Sequence, residues 1–169
     1  MHAQGKCNAA PSADGIPPLI VLGATCQVAG PSGTRTVAAA DFCVAPGQNV
    51  LADGEILVSI HLPPPVAHSG THYLRFIPRN EMDIAVAGVG SSVVLDASGT
   101  SFVSARVSLA SVAPTPLYVK EAGDALAGKE VGDKAIEAAA EAAMAAARPI
   151  SDMRGTIQQR KHLVGVLTR

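Results

Sequence analysis

The chain reads as an α+β fold, and three features of the sequence predict it. Strand-like apolar runs dominate as far as Val112 and helix-like periodicity takes over after Glu121, an order that lays helices on an antiparallel sheet. Asp96-Ala-Ser-Gly99 separates two long apolar runs and supplies the hairpin turn such a sheet needs. Pro63-Pro-Pro65 cannot continue a central strand, so it divides the chain into a first unit, residues 1–64, and a second, residues 65–169.

Each element has its own signal. Pro11 to Pro18 is turn-rich, and Leu19, Ile20 and Leu22 suit a short buried helix ending at Gly23. Thr25 to Ala29 alternates like a strand. Pro31-Ser-Gly33 turns it, and Thr34 to Val37 is the returning strand of a hairpin. Asp41 is placed to cap a helical turn through Phe42. Asp53-Gly54 is a turn ahead of the strand Glu55 to Leu62, and residues 63–70 form the linker. In the second unit, Tyr73–Ile77, Ile84–Leu95 and Phe102–Val112 are the predicted strands. Glu121 to Ala127 is a short helix closed by Gly128. Asp133 is placed to cap a helix over Lys134–Ala147, with Ile136, Ala140, Ala143, Met144 and Ala147 on one face. Arg148-Pro149 stops it. Ser151 or Asp152 starts the last helix, over 153–167, in which Ile157, Val164 and Leu167 share a side.

Composition narrows the function. A chain of 169 residues and 17.1 kDa holds one ordinary domain or two small ones, and 48% apolar against 16% charged residues argues for a buried core. A net charge of −1 lacks the basic footprint of a nucleic-acid binder, and 3% aromatics with no Trp lack its stacking platforms. A core rich in Ala buries little area per residue, which makes a partner surface a candidate for completing it. Cys7, Cys26 and Cys43 form no Cys-x-x-Cys pair and read as reduced thiols of a cytoplasmic protein. Met1 to Lys6 carries no hydrophobic leader core, and the broken apolar run Ile16–Ala29 is too short for a transmembrane segment.

Four blocks carry a resemblance: Cys7-Asn-Ala-Ala-Pro-Ser-Ala-Asp14; Glu55-Ile-Leu-Val-Ser-Ile-His-Leu-Pro63; Tyr73 to Ala85, which gathers Arg75, Arg79, Asn80, Glu81 and Asp83; and Ala110-Ser-Val-Ala-Pro-Thr-Pro116 paired with Arg148-Pro-Ile-Ser-Asp-Met-Arg-Gly155. In this order and spacing the chain resembles the FAD-binding medium subunit of the molybdenum hydroxylases, the family of aerobic carbon monoxide dehydrogenase and xanthine dehydrogenase. The resemblance implies that residues 1–64 are the second part of a two-part flavin-binding domain, whose glycine-rich first part is missing. Residues 65–169 would be its C-terminal α+β domain. Where the family has Gly-Gly-Asn, this chain has Ala3, Gln4 and Gly5. The implied cofactor is FAD, with a molybdenum cofactor and 2Fe-2S clusters on partners: a large molybdenum-binding subunit and a small iron–sulfur subunit. The implied activity is to pass electrons from those clusters through FAD to an external acceptor. The alternative is a docking module that binds no FAD by itself.

The resemblance also names residues. Asp14 matches an aspartate that contacts the flavin nucleotide, a carboxylate suited to accept from sugar hydroxyls. Leu57 matches a residue packed near the isoalloxazine ring. Arg75 stands where xanthine dehydrogenases have a lysine near that ring, which keeps the charge and changes its geometry. Asn8 stands where some members use a hydroxyl residue on phosphate. Each has a plainer reading: Asp14 as the cap of the helix after it, Leu57 as strand core, Arg75 as a salt-bridged surface arginine.

Other signals point to no chemistry. His61, His68 and His72 straddle the proline run without a ligand spacing. Ser104, Ser108 and Ser111 lack a nucleophile elbow. Glu81 and Asp83 are too close in sequence to establish a facing carboxylate pair. Gly123 and Gly128 flank a helix without forming a phosphate loop. Arg154, Arg160, Lys161, His162 and Arg169 read as a solvated basic face, with partner docking as the alternative.

Overall fold

The computed structural model describes residues 9–79 and 83–169. Helix α1 (Ile16–Val21) takes Pro17 in its first turn, where a missing N–H breaks no helical bond. Gly23, at φ 71°, turns the chain into β1 (Thr25–Gly30), which returns as β2 (Gly33–Ala38). A single 3-10 turn, Ala39–Asp41, leads to the short hairpin β3 (Cys43–Ala45) and β4 (Gln48–Asn49), and then to β5 (Ile56–His61). The first sheet has the order β2-β1-β5, all antiparallel. Ile20, Ala24, Cys26, Val28, Ala39 and Phe42 form its core.

The second sheet is β6 (Ser69–Phe76), β7 (Ala87–Leu95), β8 (Phe102–Ala110) and β9 (Leu117–Tyr118), antiparallel and in sequence order. Then come α2 (Lys120–Leu126), α3 (Asp133–Ala146) and α4 (Ile157–Thr168). Directly opposed residues of antiparallel strands share a face. The row Val89–Leu109, Ser91–Val107 and Val93–Ala105 faces the three helices, where Val89, Val107 and Leu109 meet Ala122, Ala143 and Val164 in one core. The opposite row, Gly90–Ser108 and Ser92–Arg106, faces α1. There Arg106 Nη2 donates to the Ile20 carbonyl at 2.9 Å, a cation on the last turn of α1. The same guanidinium lies 4.5 Å over the Tyr118 ring. The sheet is thus covered on both faces, once by the first unit and once by its own helices.

Several boundaries differ from the sequence reading, each for a local reason. Asp41 lies within the 3-10 turn, whose N-cap is Ala38, so it is not a cap. Asp133 is the first residue of α3 and Gly132 its N-cap, leaving the carboxylate to act on the helix dipole. Neither Ser151 nor Asp152 starts α4: Thr156 does, its Oγ1 accepting from the Gln159 N–H at 3.1 Å. Ser151 Oγ instead accepts the Ile157 N–H at 3.0 Å. The strand predicted from Ile84 begins at Ala87, and the one predicted to Val112 ends at Ala110, where Ser111 takes φ 66°. Strand β6 begins at Ser69, inside the span read as linker, because Ser69 Oγ bonds the Val66 carbonyl and turns the chain into register with Val94. Arg160 is not on a solvated face. It is 5% exposed and bonded to two backbone carbonyls.

Candidate functional site

The polar residues of the first block converge where α1 meets the second sheet. Ala13 N–H bonds the Ala10 carbonyl at 3.0 Å, a turn that delivers Asp14 to the mouth of α1. Gly15, not Asp14, is the N-cap, and no side chain caps that helix. The Asp14 carboxylate instead points at β6. Tyr73 Oη donates to its Oδ1 at 2.7 Å, and Arg75 Nη1 pairs with its Oδ2. Tyr73 and Arg75 share a strand face because they are two residues apart. They oppose Gly90 and Gly88 in the register with β7.

Those two glycines make the arrangement possible. A Cβ on Gly88 would lie 2.5 Å from Tyr73 Oη, and one on Gly90 would lie 3.2 Å from the Pro17 carbonyl. The bare patch of β7 lets the Tyr73 ring lie flat on the sheet and lets α1 approach its backbone. Burial, followed by the hydrogen bond to Asp14, pushes the Tyr73 phenol well above its ordinary value, so it stays a donor. Asp14 and Arg75 remain about two-fifths and one-third open to solvent, so the ion pair is reachable from outside.

The sequence-predicted residues are therefore placed unequally. Asp14 and Arg75 come together, in an ion pair. Leu57 lies on the other sheet, on edge strand β5 beside Val28, and is exposed rather than buried in strand core. Asn8 lies outside the described residues, as do Asn80 and Glu81. Tyr73 was missed as a site residue. Its only sequence signal is its place two positions before Arg75 on a strand. His61, whose Nε2 lies 2.8 Å from Ser59 Oγ, and His68 and His72 are exposed. Among the described residues no cluster of His, Cys, Asp or Glu could hold a metal, and no helix is long and apolar enough to cross a membrane.

The chain is similar to known proteins in sequence and in fold. Residues 72–169 match the family described as CO dehydrogenase flavoprotein C-terminal domain, and residues 6–65 match the FAD binding domain in molybdopterin dehydrogenase. The carbon monoxide dehydrogenase medium chain of Afipia carboxidovorans is 36% identical over 148 residues, which are 88% of this chain and 50% of that one. The putative xanthine dehydrogenase FAD-binding subunit of Escherichia coli is 30% identical over 164 residues, 96% of this chain and 56% of that one. Among solved structures, reconstituted CO dehydrogenase from Oligotropha carboxidovorans superposes with a TM-score of 0.89 at 32% identity, covering 96% of this chain and 56% of that one. Quinoline 2-oxidoreductase from Pseudomonas putida gives 0.83 at 28% identity, covering 95% of this chain and 55% of that one. The chain thus spans about half the length of the curated relatives it matches. It belongs to the CO dehydrogenase flavoprotein C-terminal domain family.

Proposed function

We propose that the chain is part of the flavin-bearing medium subunit of a molybdenum hydroxylase. The protein would pass electrons from iron–sulfur clusters through FAD to an external acceptor. Its partners would be a large molybdenum-binding subunit and a small iron–sulfur subunit, assembled in the cytoplasm. The observation that carries this is the Asp14–Tyr73–Arg75 cluster, which lies at the seam between the two matched families.

The residues present fit one end of the cofactor. FAD supplies the redox chemistry when bound, accepting and releasing electron pairs or single electrons. Asp14 would accept hydrogen bonds from its sugar or ribityl hydroxyls, because each carboxylate oxygen keeps a lone pair beyond its bond to Tyr73 or Arg75. Tyr73 would hold that carboxylate in place. Arg75 would set a positive charge beside the reduced ring. Leu57 would offer apolar surface. Residues 1–64 and 65–169 would be the two domains that meet over the cofactor. The pyrophosphate carries most of the cofactor's charge and is ordinarily held by the backbone N–H groups of a glycine-rich loop, which the resemblance puts in the first part of the flavin domain. Sugar and ring contacts alone would not offset the cost of immobilising so large a ligand.

Titration with FAD, followed by flavin fluorescence, tests this reading. The chain alone should bind weakly or not at all. Adding the N-terminal half of a related medium chain should restore binding, and Asp14→Ala should then weaken it. No flavin binding after complementation would overturn the flavoprotein assignment. A sub-micromolar complex with the chain alone would move the main determinants into this chain.

A further inference from the structure

We propose that the cleft under the 148–154 loop is a docking face for a partner polypeptide that inserts an apolar side chain flanked by carboxylates. The proposal rests on the subunit reading above in taking that partner to be another chain of the same enzyme. The cleft has a volume of about 450 Å³ and is walled by Pro11 and Pro46 from the first unit and by Ile84, Pro114, Pro149 and Ile150 from the second. Four of these six are prolines, whose fixed φ makes the walls stiff and leaves little entropy to lose on binding.

The loop itself is held, not loose. Arg160 rises from α4 into the protein and donates to the Val86 carbonyl at 2.7 Å, the Ser111 carbonyl at 3.0 Å and Asp152 Oδ1 at 2.7 Å. Asp152 N–H bonds the Gly155 carbonyl at 3.0 Å, and Arg148 N–H bonds the Val112 carbonyl at 2.7 Å. A buried cation is costly unless it is well bonded, and here Nη1 and Nη2 are bonded while Nε has no partner among the described residues. This one holds a surface loop. Yet that loop presents Ile150 at 71% and Met153 at 95% exposure, the two most exposed large apolar side chains among the described residues. Fixed backbone and fully exposed apolar side chains together mark a presented surface.

Charge selects the occupant. Arg160 and Asp152 neutralise each other, and among the described residues Arg148 and Arg154 at the cleft have no carboxylate partner, although Arg148 Nη1 also donates to the Ala145 and Ala147 carbonyls. Carboxylates on the incoming chain would complement the two arginines. Met153 and Ile157, outside the lining of the cleft but on the same loop and the helix that follows it, add further exposed apolar side chains. An apolar centre with Met and an arginine rim is the usual make-up of a protein interface. Two cations are too few to neutralise a nucleic-acid backbone.

Peroxide oxidation of Met153, read by mass spectrometry, tests the proposal. The free chain is compared with the purified complex it forms with the molybdenum and iron–sulfur chains of its source. Met153 should oxidise at least about tenfold more slowly in the complex, as expected of a side chain that the partner covers and shields from solvent. Met153→Asp and Arg154→Glu should each lower the yield of complex about tenfold, whereas the exposed Lys134→Glu on α3 should not. Met153 sits in solvent, so its replacement leaves the fold intact. Equal oxidation in both states, normal assembly of Arg154→Glu, or no complex with those chains would each overturn the docking face. The FAD titration separates this from the flavin reading. Flavin bound after complementation without assembly sinks docking alone, and protected Met153 with no flavin binding even after complementation sinks the cofactor assignment alone.

Discussion

The two sheets use the same residue types and are covered differently. The β6–β9 sheet carries α1 on one face and α2, α3 and α4 on the other, and Val89, Val107 and Leu109 are buried between them. The β2-β1-β5 sheet buries Cys26 and Val28 on its central strand, while β5 leaves Ile56, Leu57, Val58 and Ile60 exposed. Apolar content therefore does not say where stability resides. It resides where helices close over the sheet. The half-covered sheet holds apolar surface that is free for something else to contact.

The largest test of that contrast is a pair of truncations. Leu109→Ala should destabilise the chain by about 2–5 kcal/mol, because it opens a cavity in a layer closed on both sides. Ile60→Ala, in an exposed position, should cost less than about 1 kcal/mol. Denaturant midpoints at constant slope measure both. Equal costs would mean that β5 is covered in solution and that the contrast between the sheets is wrong.

Next in size is the clasp that binds α4 to the second sheet. Arg160→Met keeps volume and removes the donors, leaving the Val86 and Ser111 carbonyls without that partner and Asp152 with its backbone donors only. We expect a loss of about 2–4 kcal/mol, since deleting one side of a buried charged network strands the other. A Met variant as stable as the parent would show that the clasp adds no net stability.

This clasp marks where sequence reading ends. The long strands of the second sheet were legible because Asp96–Gly99 lies between two runs of the right length, and Gly99 does take φ 72°. Helix α1 was legible from Gly23, and α3 from the spacing of its alanines. Arg160 looked like one more charge on a basic helix. Nothing local signals that two carbonyls, 74 and 49 residues away, need its protons. Sequence favoured Ser151 or Asp152 over Thr156 as cap, since Ser and Asp rank above Thr at that position, and the choice of Thr156 is tertiary. Strand β9 is two residues long and exists only through its pairing with β8. At the site, the family blocks pointed to Asp14 and Arg75 separately. Their bond to each other spans 61 residues and has no sequence signature.

The exposed apolar residues of β5 predict an assembly effect. The chain should self-associate at high concentration, and Ile60→Lys should reduce it, as measured by sedimentation across a range of concentrations. Edge-to-edge strand pairing is disfavoured, because the register of β5 against β1 slips at Val58 and a bulge twists an edge away from a partner. Contact would therefore use the uncovered face. A monomer at every concentration would mean that this surface is too small to drive association.

The smallest expected effect concerns what ties the first sheet together. Arg35 on β2 reaches across β1 to Glu55, donating from Nε to Oε1 at 2.8 Å and from Nη2 to Oε2 at 2.7 Å. The Ala52 N–H adds a third bond, to Oε2 at 2.7 Å. Arg35 first, and Ala52 after it, hold the Glu55 carboxyl down at about 2 from an ordinary 4.5. A carboxylate depressed in the folded state stabilises it fully above the unfolded value, near 4.5, and loses that contribution as pH falls toward 2. Glu55→Gln should therefore be less stable than the parent at pH 7, and the difference should close between about pH 4.5 and 2. Arg35 is exposed and Glu55 only partly covered, so molar salt should shrink the difference at pH 7 as well. Urea midpoints for both proteins at pH 7, 4 and 2 give the curve. A difference that persists unchanged at pH 2 would show that the loss in Glu55→Gln does not come from the Glu55 charge.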